Sequence, residues 1–148
     1  MRWLMTRQTD TRYIHTRLQT FADVRHALDD LCHRLSNDIN DATKVAEIEI
    51  VLAEILNNIV EHGGTSAYQY PVEISWDIGT EIAFMICDTG RPYPQLRLPA
   101  PDLPNCDDLP EGGFGWGMIQ MICHAVSYQR VNGANLLRFS FETETLKP

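Results

Sequence analysis

The strongest constraint on the fold of this chain is one long helical pattern, from near Ala42 to Glu61, apolar along one side and polar along a neighbouring stripe. Val45, Ile48, Leu52, Ile55, Leu56 and Ile59 recur at helical spacing and form a core stripe. Beside them Glu54, Asn58 and His62 fall four residues apart. Positions i and i+4 are neighbours on a helix surface, so these three side chains converge on a single site. A carboxylate, an amide and an imidazole in a row offer a base, a metal ligand and an orienting group. They also suit an ordinary solvated helix surface, and the stripe alone does not decide between the two. Gly63-Gly64 supplies the expected helix stop.

The remaining elements follow from periodicity. Tyr13 to Leu18 alternates as a strand, and Phe21, Val24, Leu28, Leu31 and Leu35 mark a helix that Ser36-Asn37-Asp38 should end. Tyr70 to Asp77 and Glu81 to Cys87 read as strands joined by the turn Ile78-Gly79-Thr80, an antiparallel pair. Between Arg91 and Asn105 lie five of the eight prolines (Pro92, Pro94, Pro99, Pro101, Pro104). A loop of that length inside a compact domain is functional or disordered. It leads through Glu111-Gly112-Gly113-Phe114-Gly115-Trp116-Gly117 into an apolar helix, Met118 to Ala125. Val126 to Val131 and Ala134 to Phe141 then flank Asn132-Gly133, a strong hairpin signal because both turn residues accept positive φ.

A length of 148 residues, with 44% hydrophobic and 22% charged side chains, fits one soluble domain spanning 1–148. The net charge of -8 argues against broad nucleic-acid or anionic-membrane binding, leaving neither as an expected partner. It does not argue against a nucleotide, whose phosphates backbone N–H groups and a metal can hold. No apolar run reaches membrane length, and the first residues lack a signal-peptide core, so a cytoplasmic location is expected. Cys32, Cys87, Cys106 and Cys123 form no Cys-x-x-Cys pair. Cys32, Cys87 and Cys123 lie in apolar contexts that suit small buried hydrophobes. Trp76 is expected to pack in the core, and His15, His26 and His33 to lie at the surface.

Two further motifs carry chemistry. Asp88-Thr89-Gly90 closes the apolar strand Ile82 to Cys87, where a carboxylate can accept from an exocyclic amine and glycine permits close approach of a ligand. The same triplet also serves as a plain strand-ending turn. The glycines at 112, 113, 115 and 117 crowd a helix start at a cost in stability, which favours a phosphate cradle at the positive end of the helix dipole. No Gly-Lys-Ser/Thr follows, so this is not a Walker loop. No strand runs directly into it, so it is not a dinucleotide fingerprint either.

Taken in order, Glu54-x-x-x-Asn58-x-x-x-His62, Asp88-x-Gly90, a long loop and a Gly-rich helix start resemble the GHKL (Bergerat-fold) ATPases over roughly Phe21 to Phe141. Leu52 to Gly63 and Glu111 to Gly115 look most like the anti-sigma-factor serine/threonine kinases within that superfamily. The resemblance implies an α/β (α+β) two-layer sandwich, with a mixed, mainly antiparallel sheet covered on one face by three helices. It also implies binding of ATP with Mg²⁺. Asn58 would hold the metal, and Asp88 would read the adenine amine with Gly90 beside the base. Gly113, Phe114, Gly115 and Gly117 would line the phosphate end, and about 91–112 would form the lid. Glu54 would be the general base for a protein hydroxyl, and His62 would shape the helix end.

By the same resemblance, the substrate would be an anti-sigma-antagonist protein, and a sigma factor would be sequestered by a chain able to form a homodimer. Departures at Asn57, Trp116 and His124 keep open a non-catalytic adaptor that is ATP-gated or ATP-independent. The catalytic domain of a histidine kinase is the third reading, disfavoured because no upstream helices carry a phospho-accepting histidine.

Overall fold

The computed structural model describes residues 11–62, 70–93 and 114–143. In chain order its elements are β1 (Arg12–Leu18), α1 (Phe21–Asp38), α2 (Ala42–His62), β2 (Tyr70–Ile78), β3 (Glu81–Asp88), α3 (Phe114–Ile122), β4 (Ala125–Val131) and β5 (Ala134–Glu142). The strands form one sheet in the order β1-β2-β3-β5-β4. Every pairing is antiparallel, the limiting case of the mainly antiparallel sheet expected. The three helices and the sheet make an α+β sandwich.

Strand alternation decides which side chains meet the helices. One cross-strand row runs Ile14–Ile74–Ile86–Leu137–Tyr128 and a second runs Trp76–Phe84–Phe139–Val126. Their members are buried or, for Tyr128 and Val126, packed against the core. Phe84 stacks on Phe139 with centroids 5.1 Å apart and meets Phe141 edge-on, so aromatic contact fixes the middle of the sheet. The opposite face carries Tyr13, His15, Glu73, Ala83 and Arg138, all exposed. One more row on the core face departs from the apolar rule: Val72–Asp88–Asn135–Arg130. That polar end of an apolar face positions half of the site described below.

Helix α1 starts where expected because Thr20 and Asp23 form a capping box. Thr20 Oγ1 accepts from the Asp23 amide at 3.2 Å, and Asp23 Oδ2 accepts from the amides of Thr20 at 2.9 Å and Gln19 at 2.8 Å. It continues through Ser36-Asn37-Asp38, read from sequence as a stop, and closes when the Ile39 amide donates to the Leu35 carbonyl at 2.7 Å. Asp41 caps α2 by accepting from the Lys44 amide at 3.1 Å. The stripe of α2 is buried as its periodicity predicts, with Val51 added. Helix α3 begins at Phe114 rather than Met118, so Gly115 and Gly117 lie inside its first turns instead of leading into it. It ends at Ile122, and Ala125 already belongs to β4, where the expected helix still ran. The hairpin turn is as predicted, with Asn132 at φ 49 and Gly133 at φ 80.

Trp76 is buried, His15, His26 and His33 are exposed, and Cys123 is buried. Cys32 and Cys87 are only half-buried, a correction to the expectation for both. Cys32 donates to Glu49 Oε2 at 3.2 Å, and burial, helped by that carboxylate, pushes its thiol up to about 12. Gly63-Gly64 lies outside the described residues.

Candidate functional site

The site has a helix half and a sheet half. On α2, Glu54 and Asn58 stand one turn apart beside the buried stripe, each half-buried. The Asn58 Nδ2 donor is buried without any hydrogen-bond partner among the described residues. Leaving such a group unpaired costs about 1–3 kcal/mol, so a polar ligand at this point would recover what the fold has given up. His62 closes α2.

Glu54 reaches toward α3. A Cβ placed on Gly115 would collide with Glu54 Oε2 and lie 3.0 Å from its Cδ. Glycine at 115 therefore leaves room for the Glu54 carboxylate to lie against the first turn of α3, where a helix N-terminus favours negative charge. Gly117 is buried in the same helix and Phe114 opens it. Gly113 and the lid from 94 to 112 lie outside the described residues. Trp116 is buried at 8% exposure, and its ring meets Tyr93 edge-on with centroids 5.5 Å apart. Tyr93, just past β3, in turn stacks flat on Tyr128 at 4.0 Å.

The sheet half centres on Asp88, 5% exposed at the end of β3. Its Oδ1 accepts from the Gly90 amide at 2.8 Å and from Asn135 Nδ2 at 3.1 Å. Oδ2 carries no bond among the described residues and is the oxygen left to receive a donor. Burial raises the carboxyl above its ordinary range, opposed by the bonds from Gly90 and Asn135 and by the charge of Arg130. Asn135, 2% exposed, also donates to the Arg91 carbonyl at 2.8 Å. Its Oδ1 accepts from Tyr128 Oη at 2.6 Å and Arg130 Nη1 at 2.9 Å. Arg130 Nη1 further donates to the Gly90 carbonyl at 2.7 Å, and the Tyr93 amide donates to Tyr128 Oη at 3.0 Å.

The structure thus joins Asp88 with Gly90, and Glu54 with Gly115, and keeps Asn58 one helical turn from Glu54. Sequence reading missed Asn135, Tyr128, Arg130 and Tyr93. A signal was present for the first three: Asn135 is in phase with Leu137, Phe139 and Phe141, and Tyr128 and Arg130 are in phase with Val126. A polar group on an inward strand position demands a partner, and each of these has one.

Chemically, a buried acceptor beside a glycine suits an amine-bearing base, while an orphan amide one turn from a carboxylate that lies against α3 suits a polar, anionic ligand. Among the described residues no group of three His, Cys, Asp or Glu side chains is placed to hold a metal ion. A cation at Asn58 would take the amide oxygen and draw its other ligands from phosphate and water, the habit of Mg²⁺. An asparagine in that place fits the ion. Among the described residues no helix is long and apolar enough to cross a membrane.

A family model for the histidine kinase-like ATPase domain matches residues 14–141. The serine/threonine-protein kinase BtrW of Bordetella bronchiseptica is 30% identical over 135 residues, covering 90% of this chain and 93% of that protein.

Proposed function

This chain belongs to the histidine kinase-like ATPase domain family, and from that premise we propose that it is an ATP-dependent serine/threonine protein kinase acting in partner switching. Residues 1–148 serve as one ATP-binding domain, with about 91–112 as the lid. Asp88 accepts the adenine amine on Oδ2, and Gly90 lets the base approach the backbone. Asn58 holds Mg²⁺, whose charge neutralises the phosphates when bound. Gly113, Phe114, Gly115 and Gly117 surround the phosphates at the start of α3.

Glu54 takes the proton of a serine or threonine hydroxyl on the partner as the γ-phosphoryl group of ATP passes to that hydroxyl oxygen, the bond to the β-phosphate breaks and ADP leaves. The observation that supports this reading is the position of Glu54, one turn before Asn58 on α2 and with its carboxylate against Gly115 of α3. Serine/threonine kinase activity is also what the name of the Bordetella relative states of that protein. The partner proteins follow from the family resemblance: an anti-sigma antagonist as phosphoryl acceptor and a sigma factor as the sequestered protein.

Incubation with Mg-ATP and the cognate antagonist should yield phosphoserine or phosphothreonine. Glu54→Gln should lower the rate at least ~100-fold, the low end of general-base catalysis, while Mg-ATP still binds. Full-rate transfer by Glu54→Gln would remove Glu54 from catalysis. ATP binding without transfer to any partner would leave an ATP-gated adaptor.

A further inference from the structure

The Asn135 amide is saturated. Its oxygen takes two donors, Tyr128 Oη and Arg130 Nη1, and its nitrogen makes two bonds, to Asp88 Oδ1 and the Arg91 carbonyl. An amide offers one oxygen with two lone pairs and two N–H donors, so every capacity is used. The two donors on the oxygen fix which way the amide faces: reversed, it would set its N–H₂ against the Tyr128 and Arg130 donors and its oxygen against Asp88. Strand register enforces the same arrangement, since Asp88, Asn135 and Arg130 are successive cross-strand partners.

We infer that Asn135, oriented by Tyr128 and Arg130, is a positioning residue that holds Asp88 so that the protein selects adenine over guanine. The inference rests on the proposed role of Asp88 as the adenine acceptor. Asn135 and the Gly90 amide together occupy Oδ1, which fixes the carboxylate and leaves Oδ2 as the acceptor for the incoming base. Adenine presents an amine donor where guanine presents the O6 acceptor, so an ionised, fixed Oδ2 accepts from the first and repels the second. A protonated or rotated carboxyl loses that distinction, because its O–H can donate to O6.

The charged and titratable groups close to Asp88 are Arg130 from β4, which favours its ionised form, and the Tyr93 phenol, which Asp88 itself pushes upward after burial, while Cys87, the preceding residue of β3, belongs to the opposite face of the sheet. Of these, Arg130 is the cation, and it reaches Asp88 across Asn135.

The test is calorimetry of Mg-ATP and Mg-GTP binding to the full chain from pH 5 to 8, for the wild type, Asn135→Leu, Tyr128→Phe and Asp88→Asn. Asn135→Leu removes a bond to the ionised carboxylate. ATP affinity at pH 7 should fall roughly tenfold and GTP affinity far less, the expected worth of a charge-assisted hydrogen bond. The acid midpoint of ATP binding should move up by about one pH unit, because the lost bond favoured the ionised form. Tyr128→Phe removes only the hydroxyl that orients the amide and should shift both quantities the same way by a smaller amount. It decides the matter if Asn135→Leu fails to fold.

Equal losses of ATP and GTP affinity with an unmoved acid midpoint would overturn the inference and leave Asn135 a structural residue. Loss of ATP binding in Asp88→Asn alongside unchanged Asn135 and Tyr128 variants would also overturn it, with the reading of Asp88 intact. Wild-type ATP affinity in Asp88→Asn would sink the underlying reading instead.

Discussion

Gly115→Ala separates the cost of folding from the cost of catalysis at one position. The new methyl would collide with Glu54 Oε2 and lie 3.0 Å from Cδ. Comfortable contact between carbon atoms is about 3.5–4.0 Å, so the carboxylate must retreat by about 0.5–1 Å. The obstructing atoms are the end of a flexible side chain rather than backbone, so Glu54 can swing aside cheaply. Alanine also returns about 0.5–1 kcal/mol that glycine costs inside a helix. The two effects nearly cancel, and thermal unfolding should change by no more than a few degrees.

Catalysis has no such compensation. Misplacing a catalytic group by ~1 Å costs on the order of 100-fold, so kcat for phosphoryl transfer should fall by about that factor. The KM for the protein substrate should stay near its original value. Gly79→Ala is the control, because a Cβ there meets nothing within 4 Å. It should match the wild type in rate and lie within about 0.5 kcal/mol in stability. Steady-state kinetics and thermal unfolding on the three proteins give the answer. An unchanged kcat in a folded Gly115→Ala protein would refute the placement of Glu54. A drop of several kcal/mol in stability would refute the idea that its carboxylate is free to move.

Asn58→Leu replaces an unpaired buried donor with an apolar group of similar volume. It should hold or raise stability by up to about 1 kcal/mol while abolishing Mg-ATP binding, and a destabilised variant that still binds nucleotide would contradict both halves. Asp88→Asn tests linkage. Burial raises the native carboxyl above its unfolded value, so its ionisation penalises the native state above the folded pKa, and the penalty disappears as pH falls toward the ordinary 3.8. Asp88→Asn should therefore be the more stable protein at pH 8, with the gap closing toward pH 4 in chemical denaturation. A gap that widens toward acid would give the shift the wrong sign.

The helix half of the site was legible because helical period and polar stripe coincide in α2: Glu54 and Asn58 could be placed on one surface from spacing alone. Asp88 was legible as the residue after an apolar strand run. Asn135, Tyr128 and Arg130 were not, although their alternation was visible, because one strand's phase does not say which neighbour supplies the partner. The order β3-β5-β4 brings Arg130 within reach of the loop after Asp88, and that adjacency depends on the β4–β5 hairpin inserting its second strand beside β3. The start of α3 was misplaced for a related reason. Glycines argue against helix by propensity, but here they are tolerated because Glu54 occupies the space that a side chain at 115 would need.

The departures from ordinary stability rules are concentrated. Among the described residues, three buried side-chain polar atoms lack partners: Trp76 Nε1 in the aromatic core, Ser140 Oγ on β5, and Asn58 Nδ2 on the polar stripe. Asp88 is the sole carboxylate among the buried residues described, and its ionised form is penalised there. Gly115 and Gly117 weaken the first turns of a helix that is otherwise strongly apolar. A fold selected only for stability gains nothing from an orphan amide, a buried carboxylate with one oxygen unused, and glycines inside a helix. Under the proposed function a single ligand class would answer all three: an amine donor for Asp88 Oδ2, anionic oxygens for Asn58 and a metal it would hold, and a group needing close approach to the backbone of α3. Adenine nucleotides carry these features on one molecule, and local rule-breaking of this kind is what functional sites impose on otherwise consistent sequences. Trp76 Nε1 and Ser140 Oγ have no such explanation, which makes Asn58 the orphan whose stability should respond to Mg-ATP.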